Sequence, residues 1–292
     1  MHAAHRITDA VGSVAAERLL SPWGAFQVLA VALAWAWFWR RTPGDLRRLR
    51  PCVIVALGGA ALGAVMLGPL LGIPACLATG RCSAPSFQQI TAYGALAGLC
   101  AGLALLDRLR GVRGGRALDA LAPCLGLLVC VARMGCFVAG CDFGAPTQVP
   151  WAVRYPPGTP AFGWHRDAGW IAASAPSSLS VHPTQLYEAA LGLVVCGVVL
   201  AAEHARRARA LVPDARAAGG RSGTLFAAAA VTYAVGRAAI DLVRGDGAAT
   251  TWPTTAQCLG VVLVAGVVLW MTGRQGQGRR NTPELDIDAP CS

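Results

Sequence analysis

The chain has 292 residues, 55% hydrophobic and only 14% charged, with a mean hydropathy of +0.50. Soluble domains carry about 25% charged residues, so this composition excludes an ordinary soluble domain and predicts an all-α integral membrane protein. The net charge is +10 and all the basic residues are arginine. They cluster at the ends of apolar runs, which marks membrane topology rather than a nucleic-acid surface.

Residues 1–21 are mixed and polar, with His2, His5, Arg6 and Arg18. The apolar run behind them is as long as a spanning helix and is not followed by a small-residue cleavage site, so no signal peptide is predicted. Seven apolar runs follow, at about 22–39, 52–73, 90–106, 117–135, 184–202, 223–243 and 255–272. At 1.5 Å per residue, about 20 residues cross a bilayer core. Most of the arginines fall in four connections: 40–50, 107–116, 203–221 and the tail from Arg274. Segments 74–89, 136–183 and 244–254 alternate with them and are arginine-poor. The excess of positive charge on cytoplasmic loops then places the N-terminus outside and the C-terminus in the cytoplasm. The long segment 136–183 becomes an outward-facing cap between spans four and five. Residues 22–272 form the membrane domain, and 273–292 read as a disordered cytoplasmic tail.

Glycine is frequent in spans two and three. Gly94, Gly98 and Gly102 repeat every four residues and share one helix face. Close helix packing explains this, and room for a lipid tail is the alternative.

Charges within the spans are few. Arg133 ends the fourth, Glu188 opens the fifth, Arg237 and Asp241 stand one turn apart in the sixth, and Arg244 follows. An arginine at a helix centre costs about 2.5–3.5 kcal/mol, and less near the interface, so such charges need a function or a partner. By the topology above all five share one membrane level. Guanidinium groups bind phosphate bidentately, so this set predicts a site for a phosphate-bearing lipid headgroup. A structural ion-pair network is the alternative, and carboxylates that orient the arginines make the two compatible. His182 and Pro183 open the fifth span, followed by Gln185, Tyr187 and Glu188. His182 is read either as a general base or as a hydrogen-bonding anchor. Cys136 with Cys141, and Cys76 with Cys82, fall in outward segments and are disulfide candidates. Free thiols are the second reading, and for Cys136 and Cys141 a metal held with His165 or His182 is the least favoured third. No zinc spacing, phosphate-binding glycine loop or Ser-His-Asp order is present, and no metal or organic cofactor is predicted.

These residues resemble the prolipoprotein diacylglyceryl transferase family over about 22–272. The family signature G-R-x-G-N-F-x-N-G-E-x-x-G is similar to A-R-M-G-C-F-V-A-G-C-D-F-G at 132–144, matching at Arg133, Gly135, Phe137, Gly140 and Gly144. H-P-[ST]-Q-L-Y-E is matched fully by His182–Glu188. Y-x-x-x-R-x-x-x-E-x-x-R is matched by Tyr233, Arg237, Asp241 and Arg244, with Asp in place of Glu. The resemblance departs in the third span, where Tyr93-Gly94-Ala95 stands at the family's His-Gly-Gly. It also departs at Cys136, Ala139 and Cys141, where the signature has Asn, Asn and Glu.

The resemblance implies a seven-span enzyme of the bacterial inner membrane. It would move a diacylglyceryl group from phosphatidylglycerol, or another anionic phospholipid, to the lipobox cysteine of a prolipoprotein signal peptide. Arg133, Arg237, His182, Glu188 and Tyr93 are then the expected catalytic residues. Gly135, Gln185, Tyr187, Tyr233, Asp241 and Arg244 join Arg133 in binding substrate. A headgroup-binding or accessory membrane protein on the same scaffold, and a transferase with another acceptor, are the competing expectations.

Overall fold

A computed structural model describes residues 21–41, 54–55, 57–63, 66, 94–95, 97–102, 105, 114–210, 223–245 and 266. The N-terminal segment, Cys76, Cys82, Tyr93, nearly all of the seventh predicted span and the tail lie outside these residues.

Helix α1, Pro22–Arg41, starts where Ser21 accepts a hydrogen bond from the Gly24 amide at 3.1 Å and proline takes the first turn. It closes on Arg40 and Arg41, which suit the negative end of the helix dipole. Helix α2 is Gly114–Ala139, α3 is Pro160–Asp167, α4 is Thr184–Ala210 and α5 is Thr224–Asp241. Residues 57–63 and 97–102 are also helical. Only isolated bridges, without extended strands, occur among the described residues.

Helix α2 is the spine, packing on α1, α4 and α5, while α4 also packs on α5. It touches α4 where glycine faces glycine: a Cβ on Gly126 would stand 2.6 Å from the Gly192 carbonyl oxygen. Gly59 and Gly98 approach just as closely, and a Cβ on either would collide with the other's carbonyl. The glycine face of the third predicted span is therefore spent on backbone packing. The shared core holds Leu99, Leu118, Val195, Val199, Leu225 and Phe226. Outer faces stay apolar, with Val28, Val31, Leu193 and Val235 more than half exposed. Residues Leu118–Ala139 and Thr184–Arg209 are long and apolar enough to cross a membrane. An exposed apolar belt of this extent fits lipid rather than water.

Two boundaries differ from the sequence expectation. The helix of the predicted fourth span runs to Ala139 rather than to about 135, so the segment expected to form a cap begins at Gly140 and not at 136. The helix does not stop at the charge of Arg133. It stops where Gly140, at φ +70°, can take the left-handed closing position. The fifth helix continues to Ala210, two turns past the expected end. Its extension, Glu203–Ala210, is rich in strong helix formers and carries a Glu203–Arg207 pair one turn apart.

One partly buried carboxylate unites the ends of three helices. Gly223, before α5, provides no capping side chain. Asp119 of α2 supplies the cap from a neighbouring helix. Its Oδ1 accepts from the Leu225 and Phe226 amides at 2.8 and 3.1 Å. Its Oδ2 accepts from the Gly223 amide at 2.9 Å and from Arg206 of α4 at 3.3 Å. Glu203 pairs with Arg41 of α1 at the same end. Replacing Asp119 by Ala orphans three amides and should cost about 1–3 kcal/mol. Asp119→Asn, which keeps one acceptor oxygen, should cost less. Thermal unfolding in detergent measures both, and an unchanged melting temperature for the alanine variant would refute the cap.

Candidate functional site

The opposite end of the bundle gathers three arginines and three carboxylates. At their centre is Glu188, in the second turn of α4, with no exposed surface. Arg133 of α2 brings Nε within 2.7 Å of its Oε2. Arg244 Nη1 lies 3.6 Å and Arg237 Nε 3.7 Å from its Oε1. These are charge pairs rather than aligned hydrogen bonds, since neither Glu188 oxygen has a donor in bonding geometry. Arg237 also pairs with Asp241 one turn on in α5. A carboxylate desolvated this completely is tolerable only because cations surround it.

The third carboxylate is Asp142, which the motif comparison passes over. Its Oδ2 lies 2.7 Å from Arg133 Nη1 and its Oδ1 3.2 Å from Arg244 Nη2, so it bridges the two. It is held there by local geometry. After Gly140 closes α2, the Cys141 amide returns to the Cys136 carbonyl at 3.2 Å and the Gly140 amide to Phe137 at 3.3 Å. This pair of bonds is a Schellman closure. Asp142 then takes φ +56°, a left-handed conformation that Asp tolerates, and faces Arg133. The acidic residue directly after the signature's Gly-Cys was the available sequence signal.

The His182–Glu188 motif divides its work. Thr184 donates to the Asp142 carbonyl and Gln185 to the Cys141 carbonyl, each at 2.6 Å, so both residues clamp the Asp142 turn. Glu188 holds the arginines. His182 and Tyr187 form a separate chain: Trp151 Nε1 donates to the Tyr187 hydroxyl at 2.6 Å, and that hydroxyl shares a 3.2 Å hydrogen bond with His182 Nδ1. The His182 backbone exchanges hydrogen bonds with the cap, to Gly144 at 2.9 Å and Ala145 at 3.1 Å. The Ala145 amide continues to the Val243 carbonyl at 2.8 Å. Segments 143–146, 181–182 and 243–245 thereby lace the ends of α2, α4 and α5 together.

Behind this lacing the segment between α2 and α4 has its own core of Phe143, Tyr155, Ala161 and Val181. His165 is fully buried against the rings of Phe143 and Trp170. Burial lowers the His165 pKa and pushes the Tyr155 hydroxyl up to about 12.

Arg133, Arg237, Glu188, Asp241 and Arg244 therefore meet in one network. Tyr233 adjoins Arg133 and Glu188. Gly135 lets α1 approach, since a Cβ there would stand 2.6 Å from Phe26. Below Tyr233 a cavity of about 250 Å³ opens, lined by Leu57, Leu99, Val129, Val195 and Phe226. Cys136 and Cys141 are free thiols rather than a disulfide. They occupy the two positions that a Schellman closure brings into contact. Contact with the Cys136 sulfur, then burial, pushes the Cys141 thiol well above its usual range. With Asp142 they place two sulfurs and a carboxylate oxygen within 4.8 Å of one another. Arg133 already lies 3.9 Å from the Cys136 sulfur and pairs with Asp142, so a metal ion there would have to displace its guanidinium.

The family profile described as prolipoprotein diacylglyceryl transferase matches residues 22–272. A phosphatidylglycerol–prolipoprotein diacylglyceryl transferase of Clostridium tetani is 25% identical over 193 residues, covering 66% of this chain and 67% of the relative. Its namesake from Acaryochloris marina is 31% identical over 157 residues, 54% of this chain and 49% of the relative. Another from Stenotrophomonas maltophilia is 32% identical over 182 residues, 59% and 57% respectively. The chain thus spans about half to two-thirds of the length of these relatives.

Two outcomes test the network. Glu188→Ala leaves three arginines facing one another around a dry void and should cost about 3–5 kcal/mol, read from unfolding in detergent. Glu188→Gln should fall between it and the parent. Burial raises the Asp142 pKa, but Arg133 and Arg244 outweigh it and hold the carboxyl below its usual range. The stability it contributes is complete above the unfolded value near ~4 and is lost as pH falls through the lower native value. An acid-unfolding curve should show that loss, and Asp142→Asn should remove it.

Proposed function

Since this chain belongs to the prolipoprotein diacylglyceryl transferase family, we propose that it transfers the diacylglyceryl group of phosphatidylglycerol to the lipobox cysteine of a prolipoprotein. The observation that carries this reading is an arginine network beside Tyr233, a residue that also lines an apolar cavity. A phospholipid needs that juxtaposition: cations for one end and a dry slot for the other.

The chemistry follows from the charges that develop. The acceptor thiolate attacks the diacylglyceryl carbon that carries the phosphate ester. A C–S bond forms, the C–O bond breaks, and glycerol phosphate leaves with the electron pair. Arg133, Arg237 and Arg244 stabilise the leaving phosphate in this scheme. Glu188 and Asp241 fix the guanidinium planes, which saves reorganisation during the reaction. The thiol must also lose its proton. Of the bases expected from sequence, Glu188 is committed to three arginines, and Tyr93 lies outside the described residues. His182 remains, at the edge of the site on its Tyr187–Trp151 support, and we assign it the acceptor's proton. No metal or organic cofactor enters this scheme.

The same proposal includes seven spans, a polar segment 1–21, a tail at 273–292 and the topology. Arg40, Arg41, Arg206 and Arg207 lie at the end away from the site. Positive charge on the cytoplasmic side supports a site and cap that face outward from the bacterial inner membrane.

A second reading is favoured by Cys136, Ala139 and Cys141, which stand where the family signature is polar. On that reading the scaffold binds the headgroup without turning it over. Purified full-length protein with labelled phosphatidylglycerol and a lipobox peptide separates the two. Thioether product should form, and Arg133→Ala and Arg237→Ala should each lower kcat/KM by at least about 100-fold, the scale of losing one preorganised donor. Headgroup binding with no product would establish the second reading. Transfer unaffected by both substitutions would exclude the site.

A further inference from the structure

The arginines of this site are not vacant. Three guanidinium groups face three carboxylates, so the network is formally neutral. A phosphate ester entering it unchanged would add an uncompensated negative charge in a poorly solvated place. One carboxylate therefore has to yield, and the three differ sharply. Glu188 is fully buried and touched by all three arginines, and Asp241 is 4% exposed and tied to Arg237 on its own helix. Asp142 is 35% exposed at the side chain and sits on a left-handed turn outside any helix. Its two oxygens span Arg133 and Arg244 much as two phosphate oxygens would.

We propose that Asp142 is a built-in competitor: its carboxylate occupies the subsite that a phosphate ester takes, and is displaced when that ester binds. This rests on the arginines being a phosphate site, as read above. Displacement breaks two ion pairs at the exposed edge and leaves the Glu188 core intact. It keeps the arginines paired, and so oriented, between substrates. It also sets a threshold, because an anion must bind both arginines better than a tethered carboxylate does. A zwitterionic headgroup, whose cation would face guanidinium groups, should fail that threshold where phosphatidylglycerol passes.

Binding to the full-length protein tests this, with phosphatidylglycerol in nanodiscs as one arm and free glycerol phosphate as the other. Asp142→Asn, which also tolerates the left-handed turn, and Asp142→Gly, which favours it, should bind about tenfold tighter if the carboxylate holds the subsite about nine-tenths of the time. Asp142→Glu should bind like the parent. In turnover the gain should appear as a lower KM with no rise in kcat, a split that simple loosening of the turn would not produce. Tightening in the lipid arm identifies the intact headgroup as the displacing group, and tightening in the free arm alone identifies departing glycerol phosphate. Parent protein that binds phosphate, with folded Asn and Gly variants that bind equally or more weakly, would overturn the competitor while leaving the phosphate site standing. No binding in either arm by parent or variants would overturn both.

Discussion

A carboxylate without water must have cations, and Glu188 imposes that condition on the whole upper end of the bundle. It has no exposed surface, and its partners come from three places: Arg133 in the last two turns of α2, Arg237 inside α5, and Arg244 just beyond α5. Each arginine is as costly alone in an apolar setting as Glu188 is. None of the four can be placed without the others, so the ends of α2, α4 and α5 must meet at one level. Backbone bonds among 143–146, 181–182 and 243–245 then tie the segment after α2 to that level.

Asp119 does comparable work at the other end by different means. It answers the positive end of a helix dipole and three unpaired amides rather than a cluster of guanidinium groups. Between these two ionic ends the helices are held by shape. Glycine pairs let backbones approach, and large side chains such as Phe226 fill the remaining space. Association in lipid has little hydrophobic drive of its own, so close contact and fixed polar clamps carry much of the specificity. The division also serves function. The middle of the bundle is free to keep an apolar cavity, while the charged end stays rigid above it.

Much of the site is legible in the chain because charge within an apolar run is conspicuous. Arg133, Glu188, Arg237, Asp241 and Arg244 stand out for that reason, and the helical spacing of Arg237 and Asp241 pairs them without further information. Asp142 does not stand out. It sits in a polar stretch, and only the closure at Gly140 and its own positive φ turn it toward Arg133. Asp119 is hidden differently: it lies near the start of a span, where an acidic residue attracts no notice, and its partners are 87 to 107 positions away in sequence. The cysteines show the limit of spacing. Five positions apart is compatible with several fates, and the Schellman geometry explains the contact that the structure contains.

Length, hydropathy and the placing of arginine determine by themselves that this is a helical membrane protein, with a few odd charges within its apolar runs and a long polar segment between the fourth and fifth. These properties depend on local composition and on the cost of burying charge, and both can be read residue by residue. The tertiary structure decides which charges neutralise which. It splits the His182–Glu188 motif between clamping a turn, holding arginines and supporting a histidine. It also fills the space between Arg133 and Arg244 with a carboxylate. Those outcomes depend on distances between segments far apart in the chain, set jointly by glycine contacts, a left-handed turn and the balance of six charges.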